Sequence, residues 1–156
     1  MIDLKVIDAK NALKVMQLSK TLSKAGRKNV ADNSVSIAQG SLSEHSWMRA
    51  IVLHDDRLET YIGFVMLHIG SSKNDGIDVD GPYLWRLMIA YPYQRKGYGK
   101  IVLDKIVEVL NIKGYKTLEA SVSMGEESPL DFYLRYGFDR SGETFGDELG
   151  LLYKWK

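Results

Sequence analysis

The chain contains no cysteine. Disulfides, thiolate metal sites and a cysteine acyl-enzyme are therefore excluded, and the absence fits a cytoplasmic protein. No apolar run approaches the roughly twenty residues of a membrane helix, and the amino terminus carries no signal pattern. Neither insertion in nor passage across a membrane is expected. Repeats, linkers and low-complexity stretches are missing too, so residues 1–156 are expected to form one domain with a sizeable core. A large excess of charge is also lacking: the net charge is +1, which argues against general nucleic-acid binding. His54 falls in an expected turn and His68 on an expected strand, a spacing that suggests no metal.

What is there is an ordinary globular composition, 45% hydrophobic and 26% charged, with the charge unevenly placed. Arg95, Lys96, Lys100, Lys105, Lys113 and Lys116 outnumber Asp104 and Glu108 in one segment. Asp55, Asp56, Glu59, Asp75, Asp78 and Asp80 outnumber Arg57 and Lys73 in another. A basic segment suits an anionic cofactor and an acidic one a cationic substrate, while solvated loops would look the same.

The most informative stretch is Gln94, Arg95, Lys96, Gly97, Tyr98, Gly99, Lys100. It follows the apolar run Tyr83–Ile89, which predicts a buried strand. It precedes Val102, Leu103, Ile106, Val107 and Leu110, whose spacing predicts a helix. A strand, a glycine turn and a helix start suit phosphate, because glycine lets the backbone approach and the first helical amides point outward. Arg95, Lys96 and Lys100 add cations. The same features also describe a basic helix-capping loop. The spacing is neither the Walker loop nor the Rossmann triple glycine.

In chain order, Leu4–Ile7 predicts a strand, and Asp8 an N-cap for a helix through Ala12, Leu13, Met16 and Leu18. Residues 19–33 are polar and read as a loop or broken helix, and 34–45 as a second short helix. Trp47–Leu53 and Tyr61–Ile69 predict a hairpin turning at 54–57, with Gly63 a bulge or close approach. After the glycine loop, a helix ends near Gly114 in the left-handed C′ position. Thr117–Val122 is a strand, and Ser128–Pro129 with Asp131 opens a helix ending at Gly137. Residues 138–143 and 149–155 predict a terminal hairpin.

Gln94-x-x-Gly97-x-Gly99 resembles the acyl-coenzyme A signature of the GNAT N-acetyltransferases. The segment Phe132-Tyr133-x-x-x-Gly137-Phe138 is similar to a second family segment at the matching distance. The element order β-α-α-β-β-β-α-β-α-β-β matches as well, so the resemblance covers nearly the whole chain. It implies an α/β GNAT fold: a mixed, mostly antiparallel sheet of about seven strands flanked by about four helices. The strand Trp85–Ile89 also resembles the diamine and polyamine (spermidine/spermine) acetyltransferase branch.

The resemblance further implies acetyl-CoA as co-substrate, held by the Gln94–Lys100 loop, with main-chain groups of Leu87, Met88 and Ile89 pairing with its pantetheine arm. Tyr133 is then the acid that protonates the departing thiolate; read alone it is a core tyrosine. An amide near Leu87 would polarise the acetyl carbonyl. Glu126 stands where many relatives carry a cofactor-contacting asparagine, and a carboxylate accepts but does not donate. Relatives often place a glutamate base on the strand before the loop, but Tyr83 and Trp85 stand here. Glu44, His45, Glu119 and Glu126 are the remaining base candidates, each also readable as a surface residue. Glu44, Glu119, Tyr83 and Trp85 are the acceptor-pocket candidates, the aromatics by cation–π contact with an ammonium.

The expected function is direct transfer of acetyl to a primary amine of a small molecule within a ternary complex, a polyamine or diamine first. Aminoglycoside or protein N-terminal acetylation, and a non-catalytic coenzyme A-binding module, are the alternatives. The apolar strand with Leu149, Leu151, Leu152, Tyr153 and Trp155 suggests a homodimer.

Overall fold

Two apolar layers on opposite faces of one sheet organise the fold. In the computed structural model, which describes residues 1–156, the elements run β1 (Ile2–Val6), α1 (Ala12–Gln17), α2 (Lys24–Asn29), α3 (Asn33–Leu42), β2 (Ser46–Asp55), β3 (Leu58–Ile69) and β4 (Pro82–Ile89). They continue with α4 (Tyr98–Ile112), β5 (Thr117–Val122), α5 (Leu130–Tyr136), β6 (Asp139–Phe145) and β7 (Glu148–Lys154). The seven strands lie in the order β1-β2-β3-β4-β5-β7-β6. Only β4 and β5 are parallel; the other neighbours are antiparallel.

Strand alternation sorts side chains between the layers. Val65 and Leu67 of β3, with Leu118, Ala120 and Val122 of β5, face α4 and α5. Val102, Leu103, Ile106 and Leu110 of α4 are fully buried there, each worth on the order of 2 kcal/mol of burial. Phe64 and Met66 point the other way, with Ala50, Val52 and Met88, and meet Val15 and Ile37 from α1 and α3. The early helices α1 and α3 thus cover one face of the sheet, and α4 with α5 the other.

All seven expected strands are present. The four expected helices are joined by a fifth, α2, inside the polar stretch read as a loop or broken helix. Ser23 caps it by accepting from Gly26 N at 2.9 Å, a local hydrogen bond that apolar periodicity cannot reveal. Asp8 does not cap α1. Its carboxylate accepts from the amides of Lys10 and Asn11 in a preceding turn, and Asn11 is the N-cap. At α5 the boundary shifts by one: Pro129 is the N-cap, and the Ser128 hydroxyl donates to Ser123 O at 2.5 Å. His54 belongs to β2, the turn being at Asp56 and Arg57. Gly114 is left-handed as expected, φ 91°. Gly63 is a close approach: a Cβ there would collide with the carbonyl oxygen of Met88. β7 is interior, hydrogen-bonded to β5 and β6, and Leu151 is fully buried. Of the apolar residues that suggested a second copy, Leu151 is packed inside the chain, while Leu149, Tyr153 and Trp155 lie half-buried against the same core.

Candidate active site

After β4 the chain makes one 3₁₀ turn, Tyr91–Tyr93, then the exposed glycine loop, then α4. Arg95 and Gly97 adopt left-handed backbone, φ 59° and 85°. Such turns aim successive amides outward. The N–H groups of Arg95 through Lys100 meet no acceptor in the protein, and the first satisfied amide is Ile101 N, on Gly97 O at 3.4 Å. Behind them stands the 15-residue α4 with its positive end. Gln94 serves the loop itself, Nε2 donating to Ile89 O at 2.9 Å. Lys100 is paired with Asp104 at 2.9 Å. This cradle fits a diphosphate.

The loop begins where two strands part. β4 and β5 pair only at Tyr83 with Glu119 and Leu84 with Ala120. Farther on, Leu87, Met88 and Ile89 keep partners on β3 and have none on the β5 side. Ala90 N donates to Ile62 O at 2.7 Å. Alternation then turns Met88 toward β3 and the main-chain groups of Leu87 and Ile89 into the gap. Ile89 O is taken by Gln94, so the Leu87 N–H and C=O and the Ile89 N–H stand open for an added strand-like ligand.

Tyr133 reaches the same gap from α5. Its ring packs edge-on against Phe132 and Phe138, centroids 5.1 and 5.2 Å away. The ring is 7% exposed and borders a cavity of about 320 Å³. Burial pushes its phenol far above the ordinary tyrosine range, with Tyr83 and Glu148 pushing the same way. Phe132 in turn covers the glycine loop: a Cβ on Gly99 would lie 2.9 Å from Phe132 Cζ. The two sequence motifs are thus in contact.

The cavity continues past Tyr133 to Tyr83, Trp85, Arg86, Leu87, Ser121 and Glu148. Ser121 Oγ donates to Glu148 Oε1 at 2.8 Å, so the 2.5 Å contact between Tyr83 and Ser121 is a donation by the Tyr83 phenol. A carboxylate, a hydroxyl and a phenol form one chain along the wall. Trp85 is held from behind by His68, 5.1 Å away edge-on. The fully buried His68 donates through Nε2 to Asp75 at 2.9 Å. On the far side α2 closes the gap: Asn29 Nδ2 donates to the carbonyls of Glu126 and Glu127 at 2.9 and 3.0 Å.

The description "Acetyltransferase (GNAT) family" matches residues 19–138. The chain belongs to the GNAT acetyltransferase family. An N-acetyltransferase family 8 member 3 of Mus musculus is 30% identical over 71 residues, 46% of this chain and 31% of that protein. The match therefore spans less than a third of that relative. Among solved structures, an acetyltransferase from Thermus thermophilus superposes with a TM-score of 0.78 at 15% identity, covering 99% of this chain and 97% of that one. The PaiA N-acetyltransferase of Thermoplasma acidophilum, solved in complex with coenzyme A, gives 0.67 at 18% identity over 99% of both chains.

Within this GNAT frame the sequence-predicted residues divide. Leu87, Met88, Ile89, the Gln94–Lys100 loop and Tyr133 converge on the splayed strands, with Tyr83 and Trp85 on the cavity wall. Glu44 does not join them: it is exposed in the connection between α3 and β2. His45 lies beside it, Nδ1 on Ile69 O at 2.9 Å. Glu119 pairs with Tyr83 on β5, one register step short of the gap, and does not border the cavity. Glu126 lines an adjoining cavity of about 490 Å³ with Lys24, Lys28 and Ser123, facing α2. Three of the six acidic residues of the acidic segment are engaged internally. Asp75 accepts from Ser43 and His68, Asp78 from Ser71, and Glu59 pairs with Lys5 at 2.8 Å. Glu148, Ser121 and Arg86 were not singled out by sequence. Glu148 opens β7, and only the insertion of β7 between β5 and β6 brings it to the cavity.

Proposed function

We propose that the protein is an acetyl-CoA-dependent N-acetyltransferase that passes acetyl directly to a primary amine of a small molecule. The observation that carries this reading is the splay of β4 from β5, with open amides at one end and Tyr133 at the other. The free amides of Arg95–Lys100 hold the diphosphate, and Leu87 and Ile89 pair with the pantetheine arm. This places the thioester beside Tyr133 and next to the acceptor cavity.

Transfer needs an unprotonated amine near the carbonyl carbon. Glu148, linked to Ser121, receives the ammonium and takes its proton directly or through a water. The Leu87 N–H points where charge develops on the acetyl oxygen. As the C–N bond forms and the C–S bond breaks, Tyr133 gives its proton to the departing thiolate. Its raised phenol keeps that proton at neutral pH. The ammonium loses two protons in all: the first leaves through Glu148 to solvent, and the second, lost as the amide forms, offsets the one that Tyr133 gives to sulfur and regains from solvent.

A polyamine acceptor is favoured by Tyr83 and Trp85 on the cavity wall and by the resemblance of the strand Trp85–Ile89 to the polyamine branch, but the acidic segment does not reach the cavity. Acetylation of an aminoglycoside or a protein N-terminus uses the same donor site. A non-catalytic coenzyme A-binding module would have no use for the Tyr133 phenol. Calorimetry with acetyl-CoA, followed by thiol release across an amine panel, separates these readings. Binding with amine-dependent release is expected; binding without release would favour the module.

A further inference from the structure

We propose that the acceptor carries an anionic group, a carboxylate or a phosphate, beside its primary amine, and that Arg86 reads that group. This rests on the acetyltransferase reading above and assigns its substrate class.

Strand alternation alone would set Arg86 opposite Tyr83, against the α4 layer. The register between β3 and β4 slips instead at Trp85: Leu84 pairs with Leu67 and Arg86 with Met66. A bulged residue re-aims the side chain after it. Arg86 therefore shares the face of Tyr83 and borders the acceptor cavity.

Its guanidinium is half-buried and meets only neutral acceptors: Ser36 Oγ at 3.2 Å, Trp85 O at 2.8 Å and Gln39 Oε1 at 3.3 Å. Three of its five N–H bonds are used, leaving two for a ligand. No carboxylate stands within ion-pair distance. Glu148 acts on this charge from across the cavity without touching it; a partly buried charge with no direct partner is costly, and a planar guanidinium fits a carboxylate or phosphate through paired N–H bonds.

The rest of the wall has the same bias. Arg27 and Lys28 of α2 border the cavity, and neither forms an ion pair. Glu148 is the carboxylate facing them. An acceptor with one ammonium and one anion matches this wall, ammonium toward Glu148 and anion toward Arg86. A polycation would meet three cations for one carboxylate.

The test is calorimetric titration into protein saturated with coenzyme A. The ligands are the proteinogenic amino acids, their carboxamides, phosphoethanolamine and spermidine, with wild type, Arg86→Gln and Arg86→Lys. The best anionic amine is expected to bind about tenfold or more tighter than its uncharged counterpart. Arg86→Gln should bring the two within about twofold, with coenzyme A still bound. Amino acids against phosphoethanolamine tells carboxylate from phosphate. Tighter binding of the carboxamides or spermidine, or a preference that survives Arg86→Gln, would overturn the proposal. Should that variant not fold, the wild-type panel and Arg86→Lys decide, the lysine weakening the anion preference. A separate thiol-release assay on the ligands that bind tests the acetyltransferase reading independently.

Discussion

The phenol of Tyr83 and the carboxylate of Glu148 are joined through one hydroxyl, that of Ser121, across β4, β5 and β7. The chain borders the acceptor side of the gap, where an ammonium must lose its proton. Glu148→Gln keeps the shape and removes the charge. Turnover should fall by about 10²-fold, the usual effect of losing a positioned base, with acetyl-CoA affinity nearly intact. Steady-state kinetics beside calorimetry would show it, and unchanged turnover would remove Glu148 from the mechanism.

Tyr133→Phe removes the proposed acid and leaves the packing with Phe132 and Phe138 in place. Turnover should drop about 10²-fold while acetyl-CoA still binds. The same residue sets an alkaline signature. Its folded phenol is raised, so the stability it brings is present below the ordinary tyrosine value near 10 and falls as pH rises beyond it. Thermal unfolding between pH 9 and 11 should show a steeper decline in wild type than in Tyr133→Phe.

Gly97 and Gly63 act on opposite sides of the donor site. Gly97, at φ 85° with open space around it, should lose about 1 kcal/mol on replacement by alanine through backbone strain alone, with weaker acetyl-CoA binding. Gly63→Ala drives a methyl into the Met88 carbonyl. It should cost about 1–3 kcal/mol and push β4 away from β3. Denaturant melts with acetyl-CoA titrations distinguish the two. A Gly63→Ala variant as stable as wild type would mean that β4 yields freely.

Asp75 is held below the ordinary carboxylate range by Ser43 and then His68. A depressed carboxyl contributes stability above its unfolded value of about 4 and loses it as pH falls through the folded one. Asp75→Asn should lower the melting temperature at neutral pH and flatten its dependence below pH 4. It should also weaken acceptor binding, because His68 then supports Trp85 through a neutral amide acceptor in place of a carboxylate.

The central strands were legible as apolar runs, β3 being buried on both faces through most of its length, and α4 because its apolar face repeats at helical spacing. The candidate donor site was legible because Gln94–Gly99 and Tyr133 belong to short local motifs, which the fold brings into contact through Phe132 and Gly99. The acceptor side is built from residues distant in the chain. Glu148 looks like one more acidic residue beside a turn until β7 is placed between β5 and β6. Arg86 lies on the wrong face by simple parity, and only the slip at Trp85 corrects it. Glu44 and Glu119 had the right chemistry without the right neighbours. α2 escaped notice because a hydroxyl cap and its contacts with residues 126–127 hold it, not an apolar stripe.

The most direct test follows isotope-labelled acetyl from acetyl-CoA into the amine that binds best, with product mass and initial velocities recorded together. Direct transfer predicts labelled N-acetyl amine, one free thiol per product, and velocity lines that intersect when both substrates are varied. Saturable acetyl-CoA binding with no labelled amine and no amine-dependent thiol release would contradict the account.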